Sequence, residues 1–179
     1  MAHLTVFVYG TLKPGERNHV SHCQPGLLSD QAAQIPGQIY HLPQGYPALV
    51  DGPGWVRGVI LRWQGPRTSI DRRLALLDHL EDYDPRRARD PQGPNLYDRQ
   101  WRGVYHSPSP NRPTPGATLP NTDPAADPLP LNSQDPNPPI PNPQHKFLTY
   151  AWVYVLTLDQ VQALGGVRLP SGVWSGHRD

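Results

Sequence analysis

Leu4-Thr5-Val6-Phe7-Val8-Tyr9-Gly10-Thr11-Leu12-Lys13-Pro14-Gly15 runs from an apolar segment straight into a glycine-containing turn. Leu4–Tyr9 is dominated by β-branched and aromatic side chains, which suit a pleated and half-buried surface, so it reads as a strand. Gly10 ends it. Gly10 lets the backbone bend and lets a ligand approach its amide closely. Successive exposed N–H groups at such a turn form a nest for a carboxylate. The same residues also fit an ordinary strand-ending turn, and residue types alone leave both readings open.

Outward from this stretch, short β-rich runs dominate. Gln34–Leu42 reads as a weaker strand with Pro36 near its start, and Val56–Trp63 as another with Gly58 as a bulge. Tyr97–Tyr105 alternates polar and aromatic residues, and Phe147–Leu156 is rich in Tyr, Trp and Val. Helical patterns cover about Ser69–Tyr83, stopping before Pro85, and about Leu158–Leu164, ending at Gly165-Gly166. Five or more strands with two helices predict an α+β fold, a mixed β-sheet or small barrel with helices packed on it. Between His106 and Lys146 the composition changes: 13 of the 24 prolines fall there, with no Phe, Trp or Tyr. Such a sequence can neither form a hydrogen-bonded ladder nor bury enough surface to offset its ordering entropy, so it reads as an extended loop. Strand patterning resumes at Phe147. The expectation is therefore one domain, residues 1–179, with a proline-rich loop insertion at about 106–146.

On the helix Ser69–Tyr83, an advance of about 100° per residue puts Ile70, Leu74, Leu77 and Glu81 on one face. Three are core residues and the fourth is a carboxylate at the helix's C-terminal end. Desolvation and the negative end of the helix dipole both disfavour the Glu81 anion, and Asp78 and Asp82 push the same way. A carboxyl tuned toward neutral pH is what general acid/base chemistry needs. The alternative is a structural Glu81 paired with Arg99 or Arg102, and the sequence leaves the two even.

The totals exclude several classes. The formal charge is +1, so nothing draws the chain to nucleic acid or an acidic membrane surface. Cys23 stands alone, which forbids an intrachain disulfide and suits a reducing compartment. The first residues show neither the basic nor the apolar region of a leader, and no apolar run approaches the roughly 20 residues needed to span a bilayer. These features predict a cytoplasmic protein. His19, His22 and Cys23 lie close together but match no usual zinc spacing, and read as loop histidines. Arg86, Arg87 and Arg89 beside Asp82, Asp84 and Asp90 read as a solvated, mixed-sign face. No phosphate-binding, dinucleotide or nucleophile-elbow motif is present, so no cofactor and no metal are expected.

In order along the chain, the segments resemble the gamma-glutamylcyclotransferase-like family, including its AIG2-like and gamma-glutamylamine cyclotransferase branches. The matching pieces begin with Val8–Gly15 and Asn18-His19, then Gly37–Tyr40, Gly45–Leu49 and Val56–Gly58. They continue with Leu77-Asp78-His79-Leu80-Glu81-Asp82-Tyr83, Tyr97–Arg99 and Ala151–Tyr154. The resemblance covers nearly the whole chain except His106–Lys146. It implies a small mixed β-barrel flanked by helices. It also implies a substrate lying against the backbone of Tyr9, Gly10, Thr11 and Leu12, with Glu81 as the acid/base.

The activity it implies is release of 5-oxoproline from a small γ-glutamyl amine or amide, the substrate's own α-amine attacking its γ-carbonyl. No metal, nucleotide or covalent intermediate is needed. Tyr46, Tyr97 and Trp152 are candidates to line the pocket or to sit in the core. The leaving amine is left open among γ-glutamyl amino acids, γ-glutamyl-lysine-type amines and glutathione. Two rival classes are a non-catalytic small-molecule binding module, and an interaction protein presenting its proline-rich loop to a protein partner.

Overall fold

The computed structural model describes residues 1–87, 93, 95–107 and 145–176. Among them run β1 (Ala2–Val8), α1 (His19–His22), β2 (Leu27–His41), β3 (Pro47–Gly65), α2 (Arg67–Leu80), β4 (Asp98–His106), β5 (Phe147–Val155), α3 (Leu158–Ala163) and β6 (Val167–Arg168). Of the stretch read as a proline-rich loop, all but His106, Ser107, His145 and Lys146 lies outside the described residues, as do Arg89 and Asp90. His106 belongs to β4, and its N–H donates to the Lys146 carbonyl at 2.9 Å. Among the described residues no helix is long and apolar enough to cross a membrane.

The strand order is β3-β1-β5-β4-β2-β6, and β2 also pairs with β3. Five strands therefore close a hydrogen-bonded circuit, with β6 appended to β2. β1 is parallel to β5 and antiparallel to β3, so the sheet is mixed. Closure comes from the β2–β3 pairing, and because side chains alternate along each strand the circuit has an inner and an outer face. Phe7, Ile35, Ile39, Ile60, Val104 and Val153 pack together in one cluster. Leu4, Val6, Val8, Leu61 and Trp63 meet Ile70 and Leu77 of α2 in the other. β1 is thus buried on both faces, as its apolar run requires. Helix α2 sits on the outer face through Ile70 and Leu77.

The fold class matches the expectation, while several boundaries differ. β2 and β3 are a long antiparallel hairpin paired from Leu27↔Trp63 to His41↔Pro47, about twice the length expected. Pro47, Gly52, Pro53 and Gly54 lie inside β3 and disguise it. The hairpin absorbs them with bulges beside Ser29 and at Pro36/Gln38. α2 begins at Arg67 and ends at Leu80. Gly58 is not a bulge: it pairs in register with Ala33. A Cβ there would lie 2.3 Å from the Val8 carbonyl oxygen and 2.6 Å from the Phe7 ring. Gly58 is small because β1 and Phe7 occupy its side-chain space. Gly58→Ala should therefore cost about 3 kcal/mol of stability, read from a denaturant or thermal melt. A variant that melts like the parent would contradict this packing.

Candidate active site

The turn after β1 is braced from outside. The Gly10 carbonyl accepts from the Lys13 N–H, the Thr11 carbonyl from the Asn18 N–H, and Asn18 Nδ2 donates to Thr11 Oγ1. The His19 ring, buried in α1, holds the Leu12 carbonyl through Nδ1 at 2.8 Å. His19 and His22 thus lie on a short helix, not in a loop, and His19 braces the turn. Among the described residues there is no cluster of three or more His, Cys, Asp or Glu able to hold a metal. The turn's carbonyls and the Thr11 hydroxyl are therefore engaged. The amides of Gly10, Thr11 and Leu12 donate to no acceptor among the described residues, although all three residues are buried. Buried N–H groups almost always find a partner, so this row of donors is open to a guest.

Those residues line a cavity of about 210 Å³ whose other walls include Tyr46, Leu80, Glu81, Tyr97 and Tyr154. Of the aromatic candidates, Tyr46 and Tyr97 line it. Trp152 does not: it faces outward under Arg99, 4.8 Å from its ring centroid. Tyr154, the residue that does line the cavity, was hidden in a run of strand aromatics. Gly10 also differs from expectation. Its backbone is outside the left-handed region, and a Cβ on it would lie 2.5 Å from Cγ of Pro47. Gly10 is required by packing against Pro47 as well as by access to its amide.

Glu81 is the residue just beyond the last helical residue of α2, its C-cap. The Tyr83 N–H returns to the Asp78 carbonyl at 2.8 Å and the Asp82 N–H to His79 at 3.3 Å, a Schellman ending. Asp82, at φ +49°, occupies the left-handed position that glycine usually fills. This ending turns the chain away and leaves Glu81 on the stripe of Ile70 and Leu77, directed into the cavity.

Among the described residues Glu81 makes no ion pair. Arg99 pairs with Asp78 and Arg102 with Asp51, which removes the structural salt-bridge reading. Burial pushes the Glu81 carboxyl from 4.5 up to about 7. The expected push from Asp78 and Asp82 does not enter, because Asp78 is matched by Arg99 and Asp82 by Arg87. The phenols of Tyr9, Tyr97 and Tyr154 are all raised, first by burial and further by the Glu81 charge. Cys23 is fully buried and pushed by that burial to about 12, so it is an inert thiol.

A raised carboxyl pKa has a definite sign in stability. At pH 4 and below, both folded and unfolded chains hold the proton and burial of Glu81 costs little. As pH rises through about 7, the folded state must bury a charge that the unfolded chain keeps in water. Glu81→Gln should therefore match the parent near pH 4 and exceed it by about 3 kcal/mol at pH 8. Parallel melts at the two pH values measure this, and an equal difference at both would contradict it.

Comparisons with known proteins identify the family. The sequence model of the family described as "Gamma-glutamyl cyclotransferase, AIG2-like" matches residues 6–113. The chain is similar to the "Putative gamma-glutamylcyclotransferase" of Vibrio cholerae, 38% identical over 90 residues, which is 50% of this chain and 71% of that one. It is also similar to the "Gamma-L-glutamyl-butirosin B gamma-glutamyl cyclotransferase" of Niallia circulans, 36% identical over 95 residues, 52% of this chain and 53% of that one. The match thus spans about half the length of the butirosin enzyme. Among solved structures, YkqA from Bacillus subtilis aligns at a TM-score of 0.50 and 15% identity, over 97% of this chain and 40% of that one, a likeness of fold. The chain belongs to the AIG2-like gamma-glutamyl cyclotransferase family.

Proposed function

We propose that this protein releases 5-oxoproline from a small γ-glutamyl amide, with Glu81 as general acid/base and the Gly10–Leu12 amides as the anion site. One observation carries the reading: a half-buried carboxyl with no cation partner among the described residues shares a cavity with a row of buried, unpaired backbone donors.

The substrate supplies both nucleophile and electrophile, so proximity is intramolecular, and the protein's task is to hold the chain folded for ring closure. As the α-amine nitrogen bonds to the γ-carbon, Glu81 takes a proton from it. As the γ-carbon–nitrogen bond to the leaving amine breaks, Glu81 returns that proton to the departing nitrogen. The reaction is redox-neutral and consumes no water. The amides of the turn, Tyr9 included, hold the substrate α-carboxylate or the oxyanion. A carboxyl near pH 7 suits a group that must both take and give a proton in one cycle.

The test is a panel of γ-glutamyl compounds assayed for 5-oxoproline with the parent and Glu81→Gln. The parent should turn over at least one member, with kcat/KM rising as Glu81 deprotonates through about pH 7. Glu81→Gln should fold and lose about 10²–10⁴-fold in kcat. Undiminished turnover in that variant would remove Glu81 from the mechanism. Binding without any 5-oxoproline would favour the binding-module reading.

A further inference from the structure

Arg17 is the one cation among the described residues lining the cavity. It is exposed, and among the described residues it makes no hydrogen bond or ion pair. Three other arginines, Arg73, Arg99 and Arg102, are engaged. Arg99 and Arg102 hold Asp78 and Asp51, and Arg73 donates to the carbonyls of His22 and Pro25. The acid next to Arg17 in sequence, Glu16, accepts from the Gly176 N–H at 3.1 Å and lies 3.9 Å from Lys13 Nζ. Lys13 itself donates to the Trp174 carbonyl. The turn that carries Arg17 is therefore clamped by its neighbours, while Arg17 is left free.

Its position is defined from the opposite wall. A Cβ placed on Gly45 would lie 3.9 Å from Arg17 Nη1, so the guanidinium stands over the turn before Tyr46, at the exposed lip of the cavity. The buried Gly10–Leu12 residues and the half-buried Glu81 form other walls of the cavity. If the glutamyl half of a substrate takes the buried donors, the leaving amine points to the lip. A cation without an acid partner there is complementary to an anion on the leaving group.

We infer that Arg17 selects γ-glutamyl compounds whose leaving amine is an α-amino acid, by pairing with the carboxylate one carbon from the leaving nitrogen. This inference rests on the cyclotransferase reading and adds the leaving-group class to it. Arg17 acts on specificity and takes no proton in the reaction.

The comparison substrates are γ-glutamylalanine and γ-glutamylethylamine, which differ by that carboxylate alone. The parent should favour γ-glutamylalanine by about tenfold or more in kcat/KM, chiefly through KM. Arg17→Ala should lower that preference about tenfold, and Arg17→Glu should reverse it. The ratio is taken within one preparation, so partial misfolding of a variant cancels. A parent without preference would overturn the inference. So would equal losses on both substrates in Arg17→Ala, which would place the guanidinium on the glutamyl half. If the parent releases 5-oxoproline from neither compound, the cyclotransferase reading fails separately. Calorimetric binding of γ-glutamylalanine then decides the role of Arg17: about tenfold weaker binding to Arg17→Ala upholds the pairing, and equal binding overturns it.

Discussion

Tyr154 ties the fold to the cavity. Its backbone carbonyl accepts the Tyr9 hydroxyl at 2.7 Å, and its own hydroxyl donates to Asp78 Oδ1 at 2.7 Å. Arg99 completes the network by donating to Asp78 at 2.6 Å, and the Leu49 N–H donates to Tyr9 Oη at 3.3 Å. One buried network thus joins the end of β1, the first residues of β3, the end of β5 and the last turn of α2. Asp78 is three residues before Glu81, so the same network fixes where the Glu81 carboxyl stands relative to the Gly10–Leu12 amides. Buried polar networks of this kind specify one arrangement because any partial version leaves donors unpaired.

The network also explains why the Glu81 anion is costly. A buried carboxylate is lowered in pKa when donors point at it, and here the neighbouring donors are spent elsewhere. The Tyr9 hydroxyl goes to Tyr154, the Tyr154 hydroxyl and Arg99 go to Asp78, and the Tyr97 hydroxyl goes to the Pro47 carbonyl at 2.6 Å. Asp78 takes the cation and a hydroxyl, while Glu81, one turn on, receives neither. Two carboxylates on one helix end are separated in role by what surrounds them. The turn follows a parallel logic. Asn18 and His19 engage its carbonyls and the Thr11 hydroxyl, so its N–H groups are left for a guest.

Much of this is legible in the sequence where the signal is local. Leu4–Tyr9, Tyr97–Tyr105, Phe147–Leu156 and the helix beginning at Leu158 fall within two residues of the observed elements at each end. Thr157 and Gln160 supply the capping box that starts α3. The apolar stripe of Ile70, Leu74 and Leu77 singles out Glu81 from residue spacing alone. Less legible is whatever depends on residues far apart in the chain. The fit of Gly10 against Pro47, and of Gly58 against Phe7 and the Val8 carbonyl, is set by strand pairing and leaves no local mark. Pro47, Gly52, Pro53 and Gly54 imitate a loop, because strand breakers are tolerated once a long hairpin supplies bulges. The choice of Arg99 for Asp78 over Glu81 follows from a three-residue shift along one helix, finer than a charge pattern resolves.

Carbon-13 titration of the Glu81 side-chain carboxyl, labelled in the full chain and assigned against Glu81→Gln, reads the protonation of this carboxyl itself. The arrangement of donors around Asp78 and Glu81 predicts a midpoint near the value of about 7 that burial imposes. A midpoint near 4.5, the ordinary value, would mean that Glu81 is hydrated or paired and would contradict the account.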